Sequence, residues 1–394
     1  MSSFKRYIFL LLLLGFAFQI FAQDYLLDQN GYYYLKTEIP DSKVIKQLDL
    51  IYNTDPHGYT NKISKIVHYI NQVKNQPETL PLFLFGGDEP RGYPIWGFYQ
   101  NRIGYELWGK YSDAAAIGNH DLIHYGVKHL NDVIKAYKLP AIGTNIVDKS
   151  TGKHPYPRYK IIQYGKTKIL ILGFTTQTIN HDARVNKELS FEAPSDSYNE
   201  LVPNIIKQNN ITNILILAHL DYRTHAEGCQ TLNDFIQKIS GKNILVLHGH
   251  EHFSDFNIIK NADGEPVPVI SSLDKNQEIK HFTLPYDPEK GFFVYNKFKT
   301  IKIDSDLKED LATRDFIKNY LKNEPVPDRY KHLLVDVFDN SYVNGDGIKK
   351  TYVWDGSREV LNNKPEEKDG HIVVDYPITN LIGDAFRKTM NANV

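Results

Sequence analysis

The stretch Ile244-Leu245-Val246-Leu247-His248-Gly249-His250-Glu251-His252 decides how this chain is read. Four apolar residues in a row, closed by a polar cluster, are the pattern of a strand buried on both faces. The strand then delivers histidines to its end. The same order recurs upstream. Leu48-Asp49-Leu50-Ile51-Tyr52 runs into Thr54-Asp55-Pro56-His57-Gly58, and Leu80 to Phe85 runs into Gly86-Gly87-Asp88. Ala114 to Ile117 runs into Gly118-Asn119-His120-Asp121, and Ile214 to Leu217 runs into Ala218-His219. Helical patterns lie between these runs, at Ile63 to Val73, Gly126 to Tyr137 and Tyr198 to Gln208. Alternating strands and helices predict a layered α/β core, in which ligands sit where strands end.

Taken together, the strand ends carry Asp55, His57, Asp88, Asn119, His120, His219, His250 and His252. Asp-x-His puts both side chains on one side of an extended strand end, because strand side chains alternate. Hard carboxylates, imidazoles and an amide oxygen suit two divalent ions such as Zn, Mn or Fe. With Asp88 as a shared carboxylate, such ions sit about 3.5–4 Å apart, acidify a water and clamp the oxygens of a phosphate ester. Each fragment alone is weak: Gly-Gly-Asp is more often a turn. Five at successive strand ends are hard to produce by packing constraints.

In order, Asp-x-His, Gly-Gly-Asp, Gly-Asn-His-Asp, His and Gly-His-x-His resemble the calcineurin-like metallophosphoesterases. Within them the chain is most similar to the secreted 5′-nucleotidase and 2′,3′-cyclic-nucleotide phosphodiesterase family, over Leu48 to Tyr286. Softer echoes are Gly143-Thr144-Asn145-Ile146 and Ile169 to Thr175. The resemblance implies a four-layer α/β/β/α sandwich. It implies one metal on Asp55, His57 and His252, a second on Asn119, His219 and His250, and Asp88 between them. His120 would stand beside the phosphate as cationic stabiliser or general acid. The activity implied is hydrolysis of phosphate monoesters, nucleotides above all, by metal-activated hydroxide. The other reading is a catalytically weak or inactive exported binding protein on the same scaffold. A metalloprotease is disfavoured, since no His-Glu-x-x-His occurs.

The sequence departs from the family after His120. Asp121-Leu122-Ile123-His124-Tyr125-Gly126 is one residue longer, with His124 where a carboxylate or amide partner of His120 would fall. Asp121 and His124 are therefore both candidate catalytic residues. His225 reads as a surface residue and His248 as a strand residue.

Composition bounds the rest. The chain has 394 residues, 41% of them hydrophobic, and 46 Lys+Arg nearly balance 47 Asp+Glu. That balance argues against a nucleic-acid partner. A single cysteine, Cys229, excludes an internal disulfide framework and a multi-cysteine zinc site, which leaves 15 histidines as the ligand pool. Lys5 and Arg6 followed by apolar Ile8 to Phe18, with Ala22 at a cleavage point, form the secretory signal pattern. That apolar run is short for a bilayer span of about 20 residues, so export with the signal cleaved and no stable membrane insertion is expected, an uncleaved membrane anchor being the other reading. Asn210-Ile211-Thr212 is a glycosylation sequon.

The expected organisation is a signal peptide over 1–22, a lead-in over 23–44, the metallophosphoesterase domain over 45–303 and a linker with irregular extension over 304–376. Within it, hairpin strands are expected at Ile279 to Tyr286 and Phe292 to Ile303, a surface helix from Asp304 to Lys322 and a proline-bearing linker from Asn323 to Asp328. Ile378 to Arg387 resembles the opening helix of the family's nucleoside-binding second domain, so 377–394 is expected to be the start of a truncated domain.

Overall fold

The structure is a computed structural model. It describes residues 25–90, 100–222, 227–292, 294 and 297–323, together with the backbone of short strands between 341 and 373. The expected signal peptide, His225 and the expected helix at 378–387 lie outside the described residues.

Two mixed sheets face each other. The strands of the first are β3 (Gln47–Asn53), β4 (Thr79–Phe85), β5 (Ala114–Ala116), β6 (Ala141–Ile142), β15 (Glu278–Asp287), β16 (Gly291–Phe292) and β17 (Lys299–Lys302). Their order is β16-β15-β3-β4-β5-β6, with β17 also on β15. The second comprises β1 (Leu26–Leu27), β2 (Tyr33–Ile39), β8 (Tyr159–Tyr164), β9 (Thr167–Thr175), β11 (Asn213–His219), β12 (Asn243–Gly249), β13 (Phe256–Lys260) and β14 (Pro266–Ser271). Their order is β1-β2-β8-β9-β11-β12-β14-β13. A small pair, β7 (Ile146–Asp148) and β10 (Leu189–Phe191), lies apart from both.

Three apolar layers make this a four-layer α/β/β/α sandwich. Leu48, Leu50, Leu82 and Leu84 of the first sheet meet Ile169, Ile171, Leu215, Leu217, Leu245 and Leu247 of the second in an apolar inter-sheet core. The alternate residues of β3 and β4, among them Ile51, Phe83 and Phe85, point outward. They pack in one cluster with α1 (Ile63–Lys74), α2 (Arg102–Tyr111), the short α3 (Asn119–Ile123) and α4 (Gly126–Tyr137). The apolar face of α1, Ile63, Ile66, Val67, Ile70 and Val73, recurs at helical spacing, which is why that stretch folds as a helix against a sheet. On the far side, Leu170, Leu172, Ile214, Ile216 and Val246 pack on α5 (Pro194–Asn209) and α6 (Glu227–Ile236). Strands covered on both faces need apolar residues at every position, hence the unbroken runs in the sequence.

The boundaries differ from the expectation in four places. The segment read as a lead-in supplies β2, which pairs in parallel with β8. The second hairpin strand is two short pieces: β16 pairs with the end of β15 and β17 with its beginning. The last long helix, α7 (Leu311–Asn323), starts seven residues later than Asp304. Asp310 caps it, its carboxylate accepting from Thr313 N at 2.8 Å, while the Asp310 amide donates to Ser64 O of α1 at 2.9 Å. The preceding chain is used for docking, with Lys65 Nζ donating to Asp304 O at 2.5 Å. Between 341 and 373, read as irregular, short strands pair at Ser341–Val343, Lys349–Trp354 and Glu359–Leu361 and, separately, at Glu366–Lys368 and His371–Val373.

Candidate metal centre

In both sheets the parallel strands deliver their carboxyl ends to one edge. Register brings Asn53 of β3 beside Phe85 of β4, and His219 of β11 beside Gly249 of β12. The loops that follow carry the site. Asp55 N donates to Gly87 O at 3.0 Å and His57 N to Asp88 O at 3.2 Å, so the first two loops are stitched together. The turns are tight: Asp55, His57, Asp88, His250 and His252 all have positive φ, between 48° and 83°. For non-glycine residues that conformation costs on the order of 1–2 kcal/mol each. Such strain persists where the surroundings over-determine it, as at ligand clamps.

Two donor groups result, Asp55 with His57 and His252, and Asp88 with His219 and His250; within each, the candidate ligand atoms lie within 4.8 Å of one another. Asn119 Oδ1 joins the second group, 3.2 Å from His219 Nε2 and 2.9 Å from His250 Nδ1. Asp88 Oδ2 stands 3.1 Å from His219 Nε2 and 4.0 Å from His120 Nε2. The sequence-predicted ligands thus come together at one edge.

The hydrogen-bond arithmetic among these atoms does not close with protein alone. His57 Nδ1 meets Pro90 O at 3.1 Å and His219 Nδ1 meets Gly86 O at 2.8 Å. A carbonyl only accepts, so both rings carry their proton on Nδ1 and turn an Nε2 lone pair inward. The inward Nε2 of His57 lies 2.8 Å from Nε2 of His252, and that of His219 faces the Asp88 carboxylate. Lone pairs converging on lone pairs and carboxylates call for positive charge between them. Without a metal the demand falls on protons. Burial disfavours charge on His219, but Asp88 and Asp55 outweigh it and raise its pKa to about 10. Burial likewise works against ionised Asp55, yet His219 and the neighbouring histidines hold its carboxyl below the usual range. The donor set therefore fits divalent cations.

A calcineurin-like phosphoesterase family model matches residues 52–254, half of the chain and all of these ligand positions. The chain belongs to the calcineurin-like phosphoesterases. It is 23% identical over 281 residues to a human 5′-nucleotidase, covering 66% of this chain and 46% of that protein. It is 22% identical over 318 residues to the NAD 5′-nucleotidase of Haemophilus influenzae, covering 69% and 49%. The chain thus spans about half the length of the curated relatives it matches. Among solved structures, the fold is shared with the 5′-nucleotidase precursor of Thermus thermophilus, with a TM-score of 0.58, 18% identity and coverage of 70% of this chain and 58% of that one. The calcineurin-like phosphoesterase YfkN of Bacillus subtilis has a TM-score of 0.54, 19% identity and coverage of 71% and 97%.

In this phosphoesterase the two candidate partners of His120 part ways. His124 Nε2 lies 2.9 Å from His120 Nδ1, the rings nearly parallel with centroids 4.8 Å apart. Asp121 turns the opposite way, into the protein, where it is 2% exposed and accepts from backbone amides and a tyrosine hydroxyl. At helix position N3 the Asp121 side chain folds back on its own loop, so of the two candidates it is His124 that faces His120. Burial and the charge of Asp88 raise the pKa of Asp121 to about 6. His248 is a buried strand residue, as expected, with Nε2 donating to Leu220 O at 2.7 Å.

Sequence reasoning missed the residues that orient the ligands. Asp221 Oδ1 takes His250 Nε2 at 3.1 Å, which turns Nδ1 of that ring inward, and Asp274 Oδ2 lies 3.5 Å from His252 Nδ1. Metal-ligating histidines almost always hold such a partner on the other nitrogen. His-x-Asp at 219–221 was a readable signal; Asp274, on the loop after β14, had none. Glycine is required where the loops touch: a Cβ on Gly118 would lie on the Asp88 carboxylate.

Proposed function

We propose that the chain is an exported, dinuclear-metal phosphoesterase that hydrolyses small phosphate monoesters, nucleotides of the 5′-nucleotidase type foremost. The observation that carries this reading is the pair of donor groups sharing one sheet edge, with His57, His219 and His250 each hydrogen-bonded on the outward nitrogen and Asp274 3.5 Å from that of His252. Asp55, His57 and His252 would hold one ion, Asn119, His219 and His250 the other, and Asp88 both. Two ions held there supply an acidified water and a positive clamp for phosphate oxygens. The chain's own contribution is order. The carbonyls of Pro90 and Gly86 and the carboxylate of Asp221 fix ring orientation, and the Asp274 carboxylate stands close to the outward nitrogen of His252. His120, whose amide donates to Asp88 Oδ1 at 2.7 Å, presents Nε2 to the space beside Asp88 Oδ2. From there it can donate a proton to a phosphate oxygen or leaving group. His124 holds its Nδ1.

The substrate class is supported by the relatives named 5′-nucleotidase, and export by the pattern Lys5 to Ala22. Among the described residues no helix is long and apolar enough to cross a membrane. The test is the metal content of the purified protein together with turnover of AMP and of an aryl phosphate, with and without a chelator. Two divalent ions per chain and chelator-sensitive hydrolysis are expected. Bound metal without turnover of either ester would leave the scaffold as a binding protein.

A further inference from the structure

We propose that Asp121 is a positioning residue that locks the two loops bearing Asp88 and Asn119–His120 into one unit, and so sets the affinity of the shared metal site. The inference rests on the dinuclear reading above. Four donors converge on the Asp121 carboxylate. Oδ2 accepts from Gly118 N at 2.7 Å and Asp88 N at 3.0 Å; Oδ1 accepts from Glu89 N at 3.1 Å and from the Tyr105 hydroxyl at 2.7 Å. Three of the four are backbone amides, and they come from both loops. The lock is reciprocal: Asp121 holds the Asp88 amide, and Asp88 Oδ1 holds the His120 amide. Asp88 has φ +62°, so its backbone would otherwise relax and swing the carboxylate away from His219.

The chemistry demands a carboxylate. Four acceptances on two oxygens need all the lone pairs a carboxylate offers. An amide would put an NH₂ against N–H or O–H donors whichever way it is turned, and would lose one oxygen. The support continues outward: Tyr105 sits fully buried on α2, and on the same helix Trp108 Nε1 donates to Glu89 Oε2 at 2.5 Å. Asp121 touches neither metal ligand atoms nor the space beside His120 Nε2. Its influence passes through the position of Asp88, which both ions share.

The test is Mn²⁺ binding by calorimetry to the metal-stripped full chain, for wild type, Asp121→Asn and Tyr105→Phe, with thermal unfolding in chelator to compare the folded states. Wild type should bind two ions. Asp121→Asn should remain folded and bind Mn²⁺ about 10–100-fold more weakly, the usual effect of losing an outer partner of a ligand. A purely structural role would lower the melting temperature and leave the affinity of the folded protein unchanged, and that result would overturn the proposal. So would loss of turnover at wild-type affinity, which would show that the lock acts on the loop of His120 and not on the metal site. Should Asp121→Asn fail to fold, Tyr105→Phe decides: it keeps the carboxylate and its three amides, and a several-fold weakening is expected, with unchanged affinity overturning the idea. A wild-type chain that binds no Mn²⁺ would instead sink the dinuclear reading itself.

Discussion

Two histidine–aspartate clusters lie towards opposite ends of one strand of this protein, and they behave as opposites. At the beginning of β3, Asp49 Oδ1 accepts from His281 Nε2 at 2.9 Å and Thr283 Oγ1 at 2.7 Å, and Oδ2 accepts from Gln47 at 2.8 Å. The free lone pair of His281, on Nδ1, takes the Tyr69 hydroxyl at 2.8 Å. Every donor has an acceptor, and the cluster is complete without help. Beyond the other end of β3, around Asp55 and Asp88, the same residue types leave lone pairs facing lone pairs. Residue identity therefore does not make a metal site. What makes one is an excess of inward acceptors that the protein does not satisfy, fixed in place by carbonyls and carboxylates behind.

The sharpest way to break this comparison is to remove the shared carboxylate. Asp88→Ala should lose or disorder both ions and reduce phosphoesterase turnover to the background of the assay. Retention of two ions per chain by elemental analysis would end the dinuclear account. A smaller effect is expected at His120, which the geometry sets beside the ligands and not among them. His120→Asn should keep both metals and lower kcat roughly 10²–10⁴-fold, the usual worth of a positioned acid. Lost metal would make His120 a ligand; unchanged kcat would remove it from the reaction.

Next comes the closed cluster. Asp49→Ala strips the acceptor from the buried His281 Nε2, a loss that costs about 1–3 kcal/mol when the donor is left unsatisfied. The expected outcome is a lower urea midpoint with metal content and kcat at wild-type values. A change in metal content at equal folded fraction would show that the two clusters are coupled along β3, and that the contrast between them is false.

How much of this was legible in the sequence follows the same division. The strands could be read because burial on both faces forces apolar residues at every position, and the ligands because they sit directly after those runs. The partners could not. Whether Asp121 or His124 faces His120 depends on how the short α3 turns: Asp121 lies at N3 and folds back onto the Gly118 amide, while His124, four residues after His120, falls on the same face. Asp274 is far from every ligand in sequence and reaches His252 only through the sheet. The late start of α7 is of this kind too. Charged residues 304–310 suit a surface helix in isolation, but Lys65 and Ser64 of α1 engage Asp304 and Asp310, and the stretch runs through bends and a turn before the helix starts.

The smallest expected effect concerns histidines that belong to neither cluster. His129 Nε2 donates to Gln100 O at 3.1 Å, with its ring between Tyr105 and Tyr125. His154 Nδ1 donates to Ile146 O at 2.8 Å, with its ring edge-on to Tyr32. Burial first, and then Arg102 or Arg158 nearby, lowers the pKa of each to about 4, below the ordinary value of 6.5. Between pH 6.5 and 4 the unfolded chain therefore binds more protons at these positions than the folded one, and stability falls as pH falls through that window. Above pH 6.5 both states are neutral there and the contribution is flat. Urea midpoints across pH 4–7.5, measured in chelator so that metal release plays no part, should show this slope for the wild type. His129→Gln and His154→Gln keep a donor for the carbonyl but cannot titrate, so each should flatten the curve by at most one proton. His219 predicts the reverse sign, since Asp88 and Asp55 hold it positive when metal is stripped. A variant at 129 or 154 whose acid slope equals the wild type's would mean that the ring it removes is not held neutral by its surroundings, and that the distinction between closed and open histidines fails there.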